Sequence, residues 1–424
     1  MDQYASYTDS LIPYVGLIPS HWKTVQNKRV MHKEKRICTS YAGQDIISLT
    51  MNGVVIRDLG AGGKMPTTFD GYQFVYPGEL LMCLFDIDVT PRCVGKVYNE
   101  GLTSPAYSSF VLHDNADLGF YYYYYLMLDH TKELLHLAKN LRHSLTEEQL
   151  GQIKVPLPPL SEQRAIAEFL EAKVAQIDSV IAEAKASIEE YKAWKASIIY
   201  EAVTKGLDPN VEMKDSGVEW IGTVPAGWKF PRIKDIAILM PKCDFSICTS
   251  ETPITFTPME CIRTGTFENR SKLFGEIEGT YTQYAEGDIV LAKVTPCFEN
   301  GNVCIMKQLH SGVGMGSSEL FVLRPTQIHD RYLLYILQHS GFKDAACATM
   351  TGTGGLKRVS SSFIQNCHIP YPALSVQKRI ADYLDDKCSS ISNLIEEKES
   401  LISDLVEYKK SLIFEVVTGK RKVV

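Results

Sequence analysis

Only a few residues of this chain combine types and spacing that could support chemistry, and most of those combinations fail on spacing. Asp208-Pro209-Asn210-Val211-Glu212-Met213-Lys214 imitates the Asp…Glu-x-Lys set with which metal nucleases hold Mg²⁺. Two carboxylates share a cation only when strands fix them around it, and this stretch reads as a short linker. Gly60-Ala61-Gly62-Gly63-Lys64 resembles a phosphate loop, but Met65 follows it and the GxxxxGK[ST] spacing is absent. The chain also lacks the Asn/Asp-Pro-Pro-Tyr/Phe with which amino-methylating enzymes hold a flipped base, and it has no GxGxxG after a strand. Its ten histidines are scattered and no nucleophile is paired with one. None of the eleven cysteines forms a CxxC pair. The nearest spacings, Cys243 to Cys248 and Cys297 to Cys304, lack a second ligand pair, so no metal site is expected. None of these stretches carries an enzyme chemistry that its spacing supports.

Hydrogen-bonding chemistry remains. Two polar, basic turns recur at corresponding places, Lys139-Asn140-Leu141-Arg142-His143-Ser144-Leu145-Thr146 and Gly352-Thr353-Gly354-Gly355-Leu356-Lys357-Arg358-Val359-Ser360. A Gly-rich loop ending in Lys or Arg can bring backbone N–H groups and a cation to a phosphate. The alternative is an ordinary solvated turn.

Both turns precede a longer repeat that organises the chain. Ile153–Gly206 lies without a gap on Cys367–Lys420, so that Pro156, Leu160, Ser161, Gln163, Ile166 and Thr204 meet Pro370, Leu374, Ser375, Gln377, Ile380 and Thr418. Pro158 and Pro159, or Pro372 in the second copy, forbid helix upstream, and Ser161 or Ser375 is the predicted N-cap. No Gly or Pro follows until Gly206 and Gly419. Apolar residues then step by alternating threes and fours. Leu170, Val174, Ile177, Ile181 and Ile188 form one seam, and Leu384, Ile391, Ile395, Ile402 and Leu405 form the other. Matching heptad seams predict a coiled coil. Lys195, Lys409 and Lys398 occupy core-type positions and must snorkel or find a carboxylate. Val180 and Trp194, with Leu394, Leu401 and Tyr408, widen the stripe beyond a two-helix seam. Either the core is thicker there or the pair offers an apolar face to another subunit.

A shorter repeat opens the intervening segments. Val15-Gly16-Leu17-Ile18-Pro19-Ser20-His21-Trp22-Lys23 matches Ile221-Gly222-Thr223-Val224-Pro225-Ala226-Gly227-Trp228-Lys229. The chain is therefore head, helix, head, helix. The first head covers 1–152 with its opening motif at 15–23, and the first helical spacer covers 153–206. The second head covers 207–366 with a linker at 207–220, and the second spacer covers 367–424. The match between these opening motifs also predicts that the N-terminal segment lies by the end of the second helix.

Inside the heads, short β-rich runs at Ile46–Leu49, Glu79–Phe85, Ile254–Phe256 and Asp288–Val294 are cut by Gly, Pro, Asn and Asp, as in a compact mixed sheet. Each head carries a strand-and-loop unit, from Pro77-Gly78-Glu79 to Lys96 and from Glu286-Gly287-Asp288 to Gly301. Each also carries an apolar helix, Leu118–His136 and Arg331–His339. Tyr121–Tyr125 could stack on bases, but consecutive aromatics face all sides of a helix, and packing is the expected role. The fold class is α+β: two mixed-sheet heads and two long helices pairing as an antiparallel coiled coil, with an internal pseudo-two-fold repeat.

The 424 residues have room for two or three domains, and a 45% apolar fraction is ordinary for a globular protein. A net charge of −6, with no polybasic segment, means that strong polyanion binding needs local clustering or a partner that supplies positive charge. No signal peptide or long apolar run is legible, so the expectation is a cytoplasmic protein with reduced thiols and no membrane.

Pro156-Leu157-Pro158-Pro159-Leu160-Ser161-Glu162-Gln163-Arg164-Ala165-Ile166-Ala167 and Pro370-Tyr371-Pro372-Ala373-Leu374-Ser375-Val376-Gln377-Lys378-Arg379-Ile380-Ala381 each precede a long helix ending near Val-Thr. With the IGxxPxxW opening motifs, this ordered combination resembles the specificity (S) subunits of type I restriction–modification systems over nearly the whole chain. One departure is Val376 where the first copy has Glu162.

The resemblance implies a non-catalytic DNA-reading subunit. Each head would be a target recognition domain for one half of a bipartite, asymmetric site on double-stranded DNA. The helices would set the spacing and dock two methyltransferase (M) subunits, and restriction (R) motor–nuclease subunits would join through the complex. S-adenosylmethionine, ATP and Mg²⁺ would belong to those partners and none to this chain. The complex would act as an adenine-N6 DNA methyltransferase and an ATP-dependent endonuclease.

An antiparallel helix pair suits this role physically, because heads attached to the helix N-termini are related by a two-fold axis, as the strands of a duplex are. Ser161 to Lys205 would span about 67 Å at 1.5 Å per residue. That caps the head separation near roughly 20 base pairs at 3.4 Å each. The expected base readers are Arg57, Lys64, Arg92 and Lys96 in the first head and Arg263, Arg270, Lys293 and Asn300 in the second. Asn140, Arg142, Lys357 and Arg358, in the closing turns, complete the expected DNA-binding set, with the three cations nearer phosphates. The rival reading is a coiled-coil, protein-binding adaptor without DNA specificity.

Overall fold

The computed structural model describes residues 3–60, 66–136, 138, 143–353 and 355–423. The chain divides into two units, Met1–Lys185 with Glu399–Val424, and Ala186–Lys398. Each unit holds one head together with parts of both long helices.

Besides short two-stranded pairs, the first unit holds β1 (Met31–Glu34), β2 (Ile46–Thr50), β3 (Gly53–Ile56), β4 (Gln73–Val75), β5 (Leu80–Cys83), β6 (Val94–Lys96), β7 (Gly101–Thr103) and β8 (Tyr107–Leu112). They form two four-stranded sheets, ordered β3-β2-β7-β4 and β1-β8-β5-β6. Only the β2–β7 pair is parallel. In the second unit the strands are β9 (Ala237–Leu239), β10 (Pro253–Thr257), β11 (Ser271–Leu273), β12 (Thr282–Ala285), β13 (Ile289–Ala292), β14 (Val303–Ile305), β15 (Val313–Gly316) and β16 (Leu320–Pro325). Their sheets are ordered β11-β10-β15-β12 and β9-β16-β13-β14, and again the one parallel pair is the equivalent one, β10–β15. The heads thus share a topology strand for strand, although their sequences diverge.

Helix α1 (Leu118–Thr131) belongs to the first head, and α3 (Asp330–Gln338) to the second. Tyr121, Tyr124 and Tyr125 are fully buried, as the packing role requires. Tyr121 donates its hydroxyl to Pro156 O at 2.9 Å, and its counterpart Tyr332 donates to Pro370 O at 3.1 Å. Burial raises the hydroxyl pKa of both tyrosines, so both remain neutral donors.

The long helices are α2 (Leu160–Lys205) and α4 (Leu374–Val417), of 46 and 44 residues. Both begin one residue before the serines expected to cap them. Pro159 O accepts from Gln163 N at 3.0 Å, and Ala373 O accepts from Gln377 N at 3.0 Å. Ser161 and Ser375 are therefore inside the first turn and exposed, and the polar role common to both copies falls to the glutamines. Gln163 is fully buried; its Oε1 accepts from Asp117 N at 2.8 Å, and its Nε2 donates to Asn115 O at 3.0 Å and Pro158 O at 2.9 Å. Gln377 does the same from the second helix, accepting from His329 N at 2.9 Å and donating to Pro372 O at 2.8 Å. Each glutamine fastens the start of a head helix to the start of a spacer helix.

Within each unit the helices run antiparallel. In the first unit, the end of α4 returns to the start of the chain: Gly419 packs on Pro19 and Trp22, and Lys420 Nζ donates to Leu17 O. The N-terminal segment thus lies where the repeated opening motif predicts. In the second unit, Tyr332 hydroxyl reaches Val203 O, near the end of α2, as well as Pro370 O, just before α4.

Leu170, Ile177, Ile181, Ile188, Leu384 and Ile391 are buried, and Val174, Ile395, Ile402 and Leu405 are half-buried. Two of the three core-position lysines find partners at equivalent places. Lys409 pairs with Asp178 in the first unit, and Lys195 donates to Ser392 Oγ at 2.8 Å in the second. The flanking Val180, Trp194, Leu394, Leu401 and Tyr408 are exposed, so the wide apolar stripe is not a thicker core. No helix among the described residues is long and apolar enough to cross a membrane.

The departure between the copies at Glu162 and Val376 has a local cause. Glu162 is buried against the first opening motif, where its carboxylate meets His21 Nε2 at 2.8 Å and the Tyr4 hydroxyl. In the second opening motif Gly227 stands where the first has His21, and an apolar Val376 leaves no carboxylate without a partner.

Candidate nucleic-acid interface

The two stretches singled out in the second head, the loop after Asp288 and the turn before the spacer helix, come together in one corner. Val359 N donates to Lys293 O at 2.9 Å, and Thr295 N donates to Lys357 O at 3.0 Å. The loop between β15 and β16 joins them, because Lys293 N donates to Glu319 O at 2.9 Å. Arg358 then lies beside Glu319, with its Nε and Nη2 donating to the two carboxylate oxygens at 2.9 and 2.6 Å. That bond holds the Glu319 carboxyl below its usual pKa, so it stays charged. Lys293 is half-buried, its ammonium donating to Ser318 O at 2.9 Å and sitting 5.0 Å from the Phe321 ring centre. Burial pushes its pKa down, and Glu319 opposes that shift. Lys357 and Asn300 are exposed.

This corner differs from a phosphate cradle. The N–H groups of Leu356, Lys357, Arg358 and Val359 donate to Thr353 O, Thr295 Oγ1, Thr351 O and Lys293 O. The turn presents side chains outward and keeps its backbone donors for the fold. Arg263 is exposed and donates to the carbonyls of Glu260 and Ile262, and Arg270 is held by Glu268 through two bonds of 2.8 Å.

The first head builds the same corner. Leu145 N donates to Leu84 O at 2.8 Å and Ile87 N to His143 O at 3.2 Å, so His143 occupies the place of Lys357. Lys64, Asn140 and Arg142 lie outside the described residues. Arg92 is half-buried and turned into the head, its Nε donating to Val94 O at 3.1 Å, its Nη1 to Met51 O at 2.7 Å and its Nη2 to the Tyr122 hydroxyl. It ties three segments together. Lys96 departs further from its expected place. Its side chain is 9% exposed, and its ammonium meets Glu171 on α2 at 3.0 Å, with the Tyr122 ring at 5.1 Å. Pairing outweighs burial, and its pKa is raised. As placed it anchors the head to the helix. Arg57 is half-buried, near enough to Tyr107 to counter part of the rise that burial causes in that hydroxyl's pKa.

Several residues that hold these loops are not evident from charge or spacing alone. Asp129, at the end of α1, accepts from Cys93 N at 2.8 Å and pairs with Lys132 at 2.8 Å, while Lys132 also donates to Thr90 O at 3.0 Å, so the 90–93 loop is clamped from behind. Glu79 and Asp288 are buried equivalents. Glu79 accepts from Tyr76 N and pairs with Arg36 at 2.6 Å; Asp288 accepts from Ala285 N and takes both prongs of Arg324 at 2.7 Å. Their signal is the carboxylate after Gly in Pro77-Gly78-Glu79 and Glu286-Gly287-Asp288. Glu319 has no such signal, because nothing local marks it.

The family model described as the type I restriction modification DNA specificity domain matches residues 93–190 and 225–402, one match to each half of the repeat. The chain is 40% identical over 162 residues to the type I restriction enzyme EcoEI specificity subunit of Escherichia coli, covering 37% of this chain and 27% of that protein. It is 35% identical over 198 residues to the EcoAI specificity subunit of the same organism, covering 46% and 33%. The alignments thus span a third or less of those relatives. A chain from a structure of a type I R-M system, described as showing complex assembly and conformational transition, superposes over 94% of this chain and 98% of its own length, with a TM-score of 0.70 and 15% identity. The HsdS subunit from Thermoanaerobacter tengcongensis superposes over 95% and 98%, with a TM-score of 0.52 and 16% identity. At such identity the superpositions speak to the fold, and the family rests on the sequence model: this chain belongs to the type I restriction–modification DNA specificity family.

Proposed function

We propose that this chain is the non-catalytic specificity subunit of a type I restriction–modification complex, each head reading one half of a bipartite, asymmetric site on double-stranded DNA. The observation that carries the reading is the duplication itself. Two heads share one topology, down to the single parallel strand pair, while the side chains on their corner loops differ. A shared frame with unlike reading residues is what a split site with two different halves demands. The spacer helices fix the gap between the halves, and exposed apolar residues on them, Leu401 and Tyr408 in the first unit and Trp194 and Leu394 in the second, give each unit apolar contacts for a methyltransferase subunit. Restriction subunits join through that complex. S-adenosylmethionine, ATP and Mg²⁺ are the partners' cofactors, and the setting is the cytoplasm.

The net charge of −6 fits this division, because a reader that neutralises few phosphates needs partners to enclose the duplex. Of the expected DNA-contacting residues, Arg263, Arg270, Asn300, Lys357 and Arg358 are exposed and Arg57 and Lys293 half-buried, and these are the described residues placed to contact DNA. Arg92 and Lys96 serve as braces. Selection from a random duplex library by the chain with its methyltransferase subunits tests the function. The expected product is two short specified blocks separated by a fixed unspecified gap. A contiguous motif, or no enrichment, would contradict it.

A further inference from the structure

The corner of the second head contains a guanidinium whose orientation is fixed before any ligand arrives. Arg358 meets Glu319 side-on, through Nε and Nη2. That leaves Nη1, with both its hydrogens, and the outer hydrogen of Nη2 as one end-on edge. Its side chain is 47% exposed, whereas Glu319 is 31% exposed. Glu319 is in turn held from behind, since its carbonyl accepts from Lys293 N while the Lys293 ammonium is tied to Ser318 O. The pair joins residues far apart in sequence, unlike the local Arg270–Glu268 pair.

We infer that Arg358 reads a guanine in the major groove and that Glu319 is its positioning residue; this rests on the DNA-reading function proposed above. Guanine presents O6 and N7 side by side, and the end-on edge of a guanidinium matches that pair of acceptors. A phosphate anchor is the poorer fit. The adjacent carboxylate repels a phosphate, and the backbone N–H groups of Leu356–Val359, which could have cradled one, are engaged within the fold.

The test is base-resolved methylation by the complex of this chain with its methyltransferase subunits, for the wild type, R358K, R358A and E319Q. The wild type should give a split motif with a G·C pair specified in one half. R358A should relax that pair alone, lowering the preference for guanine by about ten- to one-hundred-fold. R358K should relax it less, because an ammonium can also reach O6 and N7 but lacks the planar fork. E319Q should relax the same pair more weakly. A wild-type motif from R358A, or uniform weakening across all positions with that variant, overturns the guanine assignment. An unchanged motif from E319Q overturns the positioning role. No split motif from the wild-type complex overturns the function on which the inference rests.

Discussion

Gln163→Leu should destabilise the first unit by about 3–4.5 kcal/mol, taking roughly 1–1.5 kcal/mol for each of the three hydrogen bonds it breaks. The side chain is fully buried, and it serves Asp117 N, Asn115 O and Pro158 O together. Leucine fills a similar volume, so the loss isolates the polar contacts from cavity formation. Asp117 is also the N-cap of α1, accepting from Phe120 N at 3.0 Å, and loosening it releases that helix start. Gln377→Leu breaks fewer contacts, those to His329 N and Pro372 O, and should cost about 2–3 kcal/mol. Denaturant unfolding of the two variants should therefore rank Gln163→Leu below Gln377→Leu, and both below the wild type. A Gln163→Leu transition superimposed on the wild type's would show that the glutamine is dispensable.

Arg324→Met should cost the second unit about 3 kcal/mol, because it strands a buried carboxylate. Asp288 is 1% exposed and takes both prongs of Arg324; Ala285 N at 2.8 Å is its other donor. The guanidinium is 33% exposed, which places the cost at the lower end for broken buried pairs. Adding Asp288→Leu to Arg324→Met should recover part of the stability, since a buried ion pair replaced on both sides is often neutral. Unfolding free energies of the two single variants and the double variant form the cycle that measures the coupling. Equal stability of Arg324→Met and the wild type would mean that Asp288 is not held by this pair.

How much of this is legible in the sequence differs by element, for physical reasons. The helix pair is legible because a heptad seam and a gap-free repeat leave one arrangement that buries Leu170, Ile177, Leu384 and Ile391. Capping at Ser161 is not, because residue type alone cannot tell whether a helix starts at Leu160 or one position later. The same motif holds the stronger signal, since Gln163 and Gln377 recur where a helix surface would accept any polar residue. The heads are legible only as short strands. Their identical topology depends on long-range pairing, such as β2 with β7 and β10 with β15, which local patterning does not encode.

The candidate site is legible in part. Charge and turn chemistry point to Lys293, Lys357 and Arg358, which the fold does gather in one corner. Nothing local distinguishes an exposed lysine from Lys96, whose strand position turns it inward to Glu171. Arg92 likewise carries a reader's chemistry and a brace's geometry. Glu319 is invisible at that level because its role exists only once the β15–β16 loop meets the turn before α4.

In the proposed function, the two heads specify the two halves of one DNA site for partner enzymes that modify it. The measurement that tests it most directly is the base-resolved methylation pattern of DNA in cells carrying this chain, with and without its neighbouring methyltransferase subunit. The expected result is methylated adenines in a split motif that appears only when both proteins are present. No new methylation, with both proteins folded and associated, would contradict it and would favour a protein-binding adaptor.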